Sequence, residues 1–378
     1  MHEKIINNLN KTINLFIEGL PDSVVEINKT WNTNYFAYIK AYIGVIYLCL
    51  LRIPISRKYA FQTFRNREII ECLNPEEILI LGGRQYFSAC RKQNYKLIWT
   101  GGIMAAVVVA SRAGHTLPLR LQIRLAKRVM QGSKKYIFLY EDTTPLGIFF
   151  AIFANDHAHI SICIQHGTPS VKELFLDGLL CQYNLLYQLG YKDDMNPDSI
   201  YFELGPPFDA EVNDDISSTL ILVGTGLQGL LPAFYSKSLD CYQQIKNLMQ
   251  PLGWNVVYRP HPAERPINYS SHFSNVDTSS NGTCLSGARK IFIGYQSSLL
   301  YEAQAFGHAV ITLIDPDVFK IKLFIPDIEI DATCLGSIAS SIIELHSDMK
   351  NRPIRNFLRL KERFLQILGE IELQSERN

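Results

Sequence analysis

Short apolar runs that stop at small or charged residues alternate with stretches of helical period along most of this chain. EILIL (77–81) runs into Gly82-Gly83, KLIWT (96–100) into Gly101-Gly102, KYIFLY (135–140) into Glu141-Asp142, and ISICI (160–164) into Gln165-His166-Gly167. Each run has strand length, and helical patterns such as PLGIFFAIFA (145–154) lie between them. Near-continuous apolar strands separated by helices predict a parallel sheet covered on both faces.

The rhythm stops at ELGPPFDAEVNDDISS (203–218), a Gly-Pro-Pro and acidic stretch of the composition found between domains. It restarts with TLILV (219–223), a helix from about Ser236 to Met249, WNVVY (254–258), KIFIG (290–294), a helix from Ser298 to Phe306, and AVITLI (309–314). Near the end, Phe357, Leu360, Phe364, Ile367, Leu368 and Ile371 form one helical stripe. No repeat of solenoid period appears. The pattern predicts an α/β chain of two Rossmann-like units facing a cleft, residues 1–210 and 211–352, closed by a carboxyl-terminal helix over 353–378.

Composition narrows the partners. Lys+Arg of 37 against Asp+Glu of 36 leaves a net charge of +1, which argues against a nucleic-acid-coating surface and makes any basic site local. Cys49, Cys72, Cys90, Cys163, Cys181, Cys241, Cys284 and Cys334 show no C-x-x-C pair or zinc spacing, so they read as buried free thiols of a reducing compartment. The start, MHEKIINNLNKTINLF, lacks a signal-peptide pattern, and a cytoplasmic location is expected.

FAYIKAYIGVIYLCLLRIPI (36–55) is strongly apolar, but Lys40 interrupts it and the run from Ala41 to Leu51 is too short to span a bilayer. It reads as a buried core helix, with an interfacial anchor as the alternative. In LRLQIRLAKRVMQGSKK (119–135), Arg120, Arg124, Lys127 and Arg128 share a helical face opposite Leu121, Leu125 and Val129. That face is either solvated or a patch for an anionic membrane or polyanionic acceptor.

Candidate chemistry concentrates in the second unit. WNVVYRPHPAERP (254–266) delivers a strand to a stiff turn, because each proline fixes φ and holds the preceding residue extended, so His261 is fixed at a strand end. Ligands of open α/β sheets collect outside such ends, and Arg259 stands there too. GTGLQG (224–229) matches the dinucleotide glycine pattern, yet the next strand ends in Tyr258-Arg259 without the acidic residue that pattern needs. Gly224 and Gly226 are instead expected to let backbone N–H groups approach a phosphate or substrate. Ser297 and Ser298 open a helix directly after a strand, which is a phosphate site by geometry and dipole, and Glu302 lies one turn further on the same face. DPD (315–317) follows the last strand and holds a turn-forming proline, and HAH (157–159) lacks a nearby third ligand, so no metal and no cofactor are expected.

YRPHPAE (258–264) followed by GYQSSLLYEAQAFGHAV (294–310) resembles the carboxyl-terminal half of GT-B glycosyltransferases that build bacterial surface polymers, among them sialyltransferases and polysialyltransferases, with similarity to the glycerophosphate transferases of teichoic acid synthesis. The resemblance implies that His261, Ser297 and Ser298 hold the donor phosphate and Glu302 the ribose. FLYEDTTPLG (138–147) resembles the paired-acid motif of bacterial sialyltransferases, with Thr143 where a glycine is expected, and implies Glu141 or Asp142 as the base. CIQHGTPSVKELFLDG (163–178) resembles the His-Gly-Thr-Pro segment of the glycerophosphate transferases, which makes His166 the competing base. The implied activity is inverting, metal-independent transfer of sialic acid or Kdo from a CMP-activated donor to a glycan or glycolipid hydroxyl in capsule or lipopolysaccharide synthesis. The alternatives are a CDP-polyol phosphotransferase, a UDP-GlcNAc 2-epimerase, and an inactive GT-B scaffold that binds glycan.

Overall fold

The computed structural model describes residues 1–18 (side chains for 1–10), 35–51, 55–63, 67–131, 134–140, 144–164, 180–186, 198–206, 208–229, 231–295, 297–315, 325–354, 357 and 359–377. Helices α1 (His2–Glu18) and α2 (Tyr35–Leu50) precede a seven-stranded sheet. Its strands are β1 (Tyr59–Phe61), β2 (Ile78–Gly82), β3 (Lys96–Trp99), β4 (Tyr136–Leu139), β5 (Ile160–Ile164), β6 (Tyr183–Leu186) and β7 (Ile200–Glu203). Helices α3 (Gly101–Ala113), α4 (Leu117–Val129) and α5 (Pro145–Asp156) connect them. All pairs are parallel, in the order β3-β2-β1-β4-β5-β6-β7.

The period of two in the strands sorts the core. Leu79, Leu81, Ile137 and Leu139 face a cluster built with α1 to α5, whereas Ile78, Ile80, Phe138 and Ile162 face the other way. That second face is covered by α9 (Leu360–Arg377), which carries Leu360, Phe364, Ile367, Leu368 and Ile371 of the predicted stripe, whereas Phe357 precedes the helix and packs against the second unit's core. The return is pinned by Leu360 N–H to Asp209 Oδ1 at 2.7 Å, Arg363 to the Pro206 carbonyl at 3.0 Å, and Tyr59 Oη–H to Glu372 at 2.8 Å.

The second sheet has five parallel strands, β8 (Val212–Val223), β9 (Asn255–Arg259), β10 (Gly287–Gly294), β11 (Ala309–Ile314) and β12 (Ile328–Asp331), in the order β12-β11-β10-β8-β9. Helices α6 (Pro232–Met249) and α8 (Ile338–Asp348) cover one face, and α7 (Ser298–Ala305) covers the other. Two Rossmann-like sheets with a helix returning to the first are the expected GT-B architecture.

Three expectations need correction. Residues 212–218 are the first part of β8 rather than a linker: Asp214 and Asp215 are exposed, but Ile216 pairs with Arg289 on β10 and Arg289 reaches the Asp214 carbonyl at 3.4 Å. The apolar segment from 36 is not a buried core helix either. On α2 only Ala41, Gly44 and Leu48 are buried, because Gly44 meets Gly102 of α3 backbone to backbone and Gln122 bonds the Ala41 and Gly102 carbonyls. Close contact of small residues turns the large ones outward, leaving Tyr35, Phe36, Ile46 and Leu50 each at least 60 % exposed. Cys49, on the same helix, and Cys334 are exposed too, rather than the buried thiols expected. Among the described residues no helix is long and apolar enough to cross a membrane.

Candidate functional site

In the second sheet the chain moves from β8 to β9 on one side and then to β10 on the other. The carboxyl ends of β8 and β10 therefore flank a topological switch point, where open α/β sheets leave a crevice. Gly224–Gly226, Arg259–His261 and Ser297–Ser298 all follow adjacent strands at this end. The three motifs singled out in the sequence thus converge.

Glu264 binds the first two loops together. It is buried, and its Oε1 accepts the Gly226 N–H at 3.1 Å while Oε2 accepts the Tyr258 hydroxyl at 2.6 Å and the Tyr235 hydroxyl at 3.4 Å. Burial, and then the Glu264 charge, push the Tyr258 hydroxyl far above its ordinary pKa and Tyr235 up to about 12, so both remain donors. The glycines are needed for close approach. A Cβ on Gly224 would collide with the Glu264 carboxylate, and one on Gly226, which has φ of +68°, with the His261 ring. The Gly224 N–H donates to the Arg259 carbonyl at 2.8 Å, so the amides of both glycines are engaged by protein acceptors. Their role is to let the loops interlock, in place of the expected direct presentation of N–H groups.

His261 is the product of that interlocking. Its ring lies against Gly226, and Nδ1 accepts the Ala263 N–H at 3.1 Å, which places the neutral ring's proton on Nε2. The side chain is exposed, leaving an Nε2–H donor held in a fixed ring.

Arg259 is committed elsewhere. It is 8 % exposed, pairs with Asp277 at 2.9 Å, and donates to the Ser279 carbonyl and Asn281 Oδ1, each at 2.8 Å. Asn281 in turn donates to Glu302 Oε2 at 2.9 Å. Glu302 is buried, and burial raises its carboxyl pKa to about 7 against the opposing pull of Asn281 and Arg259. Arg259 thus orients the loop that meets Glu302.

At the head of α7, Ser297 is the N-cap but its hydroxyl makes no capping bond, and both Ser297 and Ser298 are partly exposed. The first N–H groups of a helix have no intrahelical acceptor, so this terminus presents hydroxyls and amides in one direction. Tyr242 braces it from below, donating to the Val223 carbonyl at 2.6 Å and accepting the Tyr295 N–H at 3.4 Å. Asp315 of the DPD sequence is buried and paired with Lys237 at 2.8 Å. His157 stacks on Phe153, and His159 is buried with Nδ1 accepting the Lys135 N–H at 3.4 Å. Among the described residues no group of His, Cys, Asp and Glu is arranged to hold a metal.

In the first sheet the switch point lies between β1 and β4. Glu141 and Asp142, which follow β4 in sequence, and His166, which follows β5, lie outside the described residues. Their frame is described: Gln62, past the end of β1, accepts the Tyr140 N–H at 3.1 Å and donates to Thr144 Oγ1 at 3.2 Å.

No protein-family model matches this sequence, and neither does any curated protein. Among solved structures the chain is similar to CalG4, the calicheamicin glycosyltransferase, with a TM-score of 0.47 and 11 % identity over 85 % of this chain and 94 % of that one. It is also similar to a glycosyltransferase from Rickettsia africae ESF-5, with a TM-score of 0.44 and 10 % identity over 85 % of this chain and 99 % of that one.

Proposed function

We propose that this chain is an inverting, metal-independent glycosyltransferase that moves a sugar, sialic acid or Kdo from a CMP-activated donor, to a hydroxyl of a bacterial surface glycan or glycolipid. The observation that carries the reading is that an oriented His261 Nε2–H and an uncapped helix terminus follow strands on either side of β8, at the same end of the second sheet. In the reaction a base takes the proton of the acceptor hydroxyl, whose oxygen attacks the anomeric carbon. The bond from that carbon to the phosphate oxygen breaks on the opposite side, and its electron pair leaves with CMP. His261, Ser297, Ser298 and the first turn of α7 stabilise the charge growing on the phosphate. Glu141, Asp142 and His166 are the candidates for the base, with the acidic pair preferred because two carboxylates directly follow a strand in the sequence.

The outward apolar side of α2 and the exposed cations Arg124 and Lys127 of α4 support a peripheral position on an anionic, cytoplasmic membrane face. Thermal shift with a nucleotide panel tests the donor, since a ligand that binds only the folded chain raises Tm. CMP and CDP should raise it most. A preference for UDP would point to the epimerase class, and no shift with any nucleotide would overturn the donor site. Activity should persist in EDTA, and restoration by Mg²⁺ or Mn²⁺ after loss would contradict the metal-independent mechanism.

A further inference from the structure

A cavity of about 810 Å³, lined by none of the proposed donor-site residues, lies in the first unit at the carboxyl ends of β2 and β3 and beneath the start of α2. Its size falls in the range of small-molecule sites. Phe36, Ile43, Trp99, Met104 and Leu146 supply an apolar lining. Arg84 and Lys40 supply the charge, and no acidic side chain lines the cavity among the described residues. The Arg84 guanidinium lies 5.2 Å from the Trp99 ring centroid, so its charge is held over the apolar wall by a cation–π contact.

The cavity has no sharp apolar boundary. Phe36 and Ile43 belong both to its lining and to the outward side of α2, where Ile39, Tyr42, Ile46 and Leu50 continue the apolar surface along the helix. Over the length of α2 that stripe runs for roughly 20 Å at the helical rise. An apolar track that enters a cation-bearing pocket fits a long molecule with an apolar chain and one anionic group.

We propose that this cavity binds a single-chain anionic amphiphile, its chain against Phe36, Ile43 and Met104 and its anionic group at Arg84 and Lys40. Under the transferase reading, this amphiphile is the lipid-proximal end of the acceptor. That assignment rests on the proposed function, but the binding does not.

Calorimetric titration of the full chain with octyl phosphate, below its micellar concentration, tests the site. Octanol and inorganic phosphate serve as separate arms. Saturable one-site binding of octyl phosphate is expected, with octanol weaker and inorganic phosphate without measurable binding. Arg84→Gln should weaken octyl phosphate about tenfold and leave octanol unchanged, and Met104→Glu should weaken both about tenfold. Arg84 and Met104 are exposed, so each variant should keep its Tm. Non-saturable binding would overturn the proposal. So would equal binding of inorganic phosphate, or native affinity in both Arg84→Gln and Met104→Glu. No nucleotide or transfer step enters this readout, so its failure leaves the donor site standing, and a failed nucleotide panel leaves the cavity standing.

Discussion

The exits of β4 and β10 are built on one plan and finished differently. Each strand carries a lysine paired with a buried histidine, Lys135 just before β4 and the partly buried Lys290 within β10. Lys135 N–H donates to His159 Nδ1 at 3.4 Å, and its Nζ to the Ile55 and Arg57 carbonyls at 2.6 and 2.9 Å. Lys290 N–H donates to His308 Nδ1 at 3.1 Å, and its Nζ to the Cys284 and Ser286 carbonyls at 2.6 and 2.9 Å. Each strand then leads to a tyrosine, Tyr140 or Tyr295, whose N–H is accepted by a side chain from a neighbouring element, Gln62 or Tyr242. At the next helix the plans part. Thr144 caps α5 itself, accepting the Gly147 N–H at 3.1 Å, whereas the Ser297 hydroxyl leaves α7 uncapped. A terminus closed by its own side chain is finished structure, and one left open retains donors for an anion. The sequence before the helix differs in the same sense: Glu141-Asp142 in the first unit, Ser297-Ser298 in the second. Under the proposed function this contrast corresponds to a division of labour, with acceptor activation in the first unit and phosphate binding in the second.

The largest effect should come from testing that division directly. Removing the base, by Glu141→Gln, Asp142→Asn or His166→Ala, should lower turnover about 10²–10⁴-fold while leaving nucleotide affinity intact, because the base is not part of the phosphate grip. Steady-state rates and nucleotide titrations on the same variants check this. A variant that loses both together would place its residue on the donor side.

The shared lysine–histidine device predicts shared acid sensitivity. Burial lowers both His159 and His308 to about 4, helped at His159 by Lys135 and His157 and opposed at His308 by the Leu285 carbonyl. The folded chain therefore holds them neutral while the unfolded chain protonates them near 6.5. Stability from each is complete above pH 6.5 and is lost as pH falls from there towards 4, by at most about 3 kcal/mol per ring. NMR titration of the imidazole protons should find His159 and His308 still neutral at pH 5, with urea midpoints falling over the same window. Ordinary titration of both rings near pH 6.5 would remove the device from both units.

A smaller effect should separate the two braces. Tyr242→Phe leaves the Val223 carbonyl and the Tyr295 N–H without their hydroxyl partner in a buried site and should cost about 1–3 kcal/mol in urea unfolding. Gln62→Ala removes a partly buried brace and should cost less. The reverse order would mean that the second switch point is held by other contacts.

Much of this frame was legible in the sequence. EILIL, KLIWT, KYIFLY and ISICI each contain a strand, AVITLI is one from end to end, and the stripe from Leu360 to Ile371 packs as its period requires. What escaped is instructive. β1 is central in its sheet but only three residues long, too short to show a period, and Tyr59–Phe61 pairs with two strands distant in sequence. The large side chains of α2 resemble a core helix because hydropathy does not record which face is buried; the signal was Gly44, the small residue that permits the approach to Gly102. Strand-end logic places His261, Ser297 and Ser298 beyond strands of the second sheet, where they lie, but it does not single out Glu264 in the same HPAE segment. Its role depends on Tyr235 and Gly226, which only folding brings near. Arg259 looked like a ligand donor because the sequence does not reveal that Asp277 and Asn281 return to it.

The central claim is that His261 donates to the leaving phosphate of a nucleotide sugar. The most direct measurement is CMP release from a CMP-activated sugar by wild type and His261→Ala, with Tm recorded for both. The account predicts turnover lowered about 10²-fold with Tm unchanged, the scale of losing one charge-stabilising donor. A folded His261→Ala chain that releases CMP at the wild-type rate would contradict it.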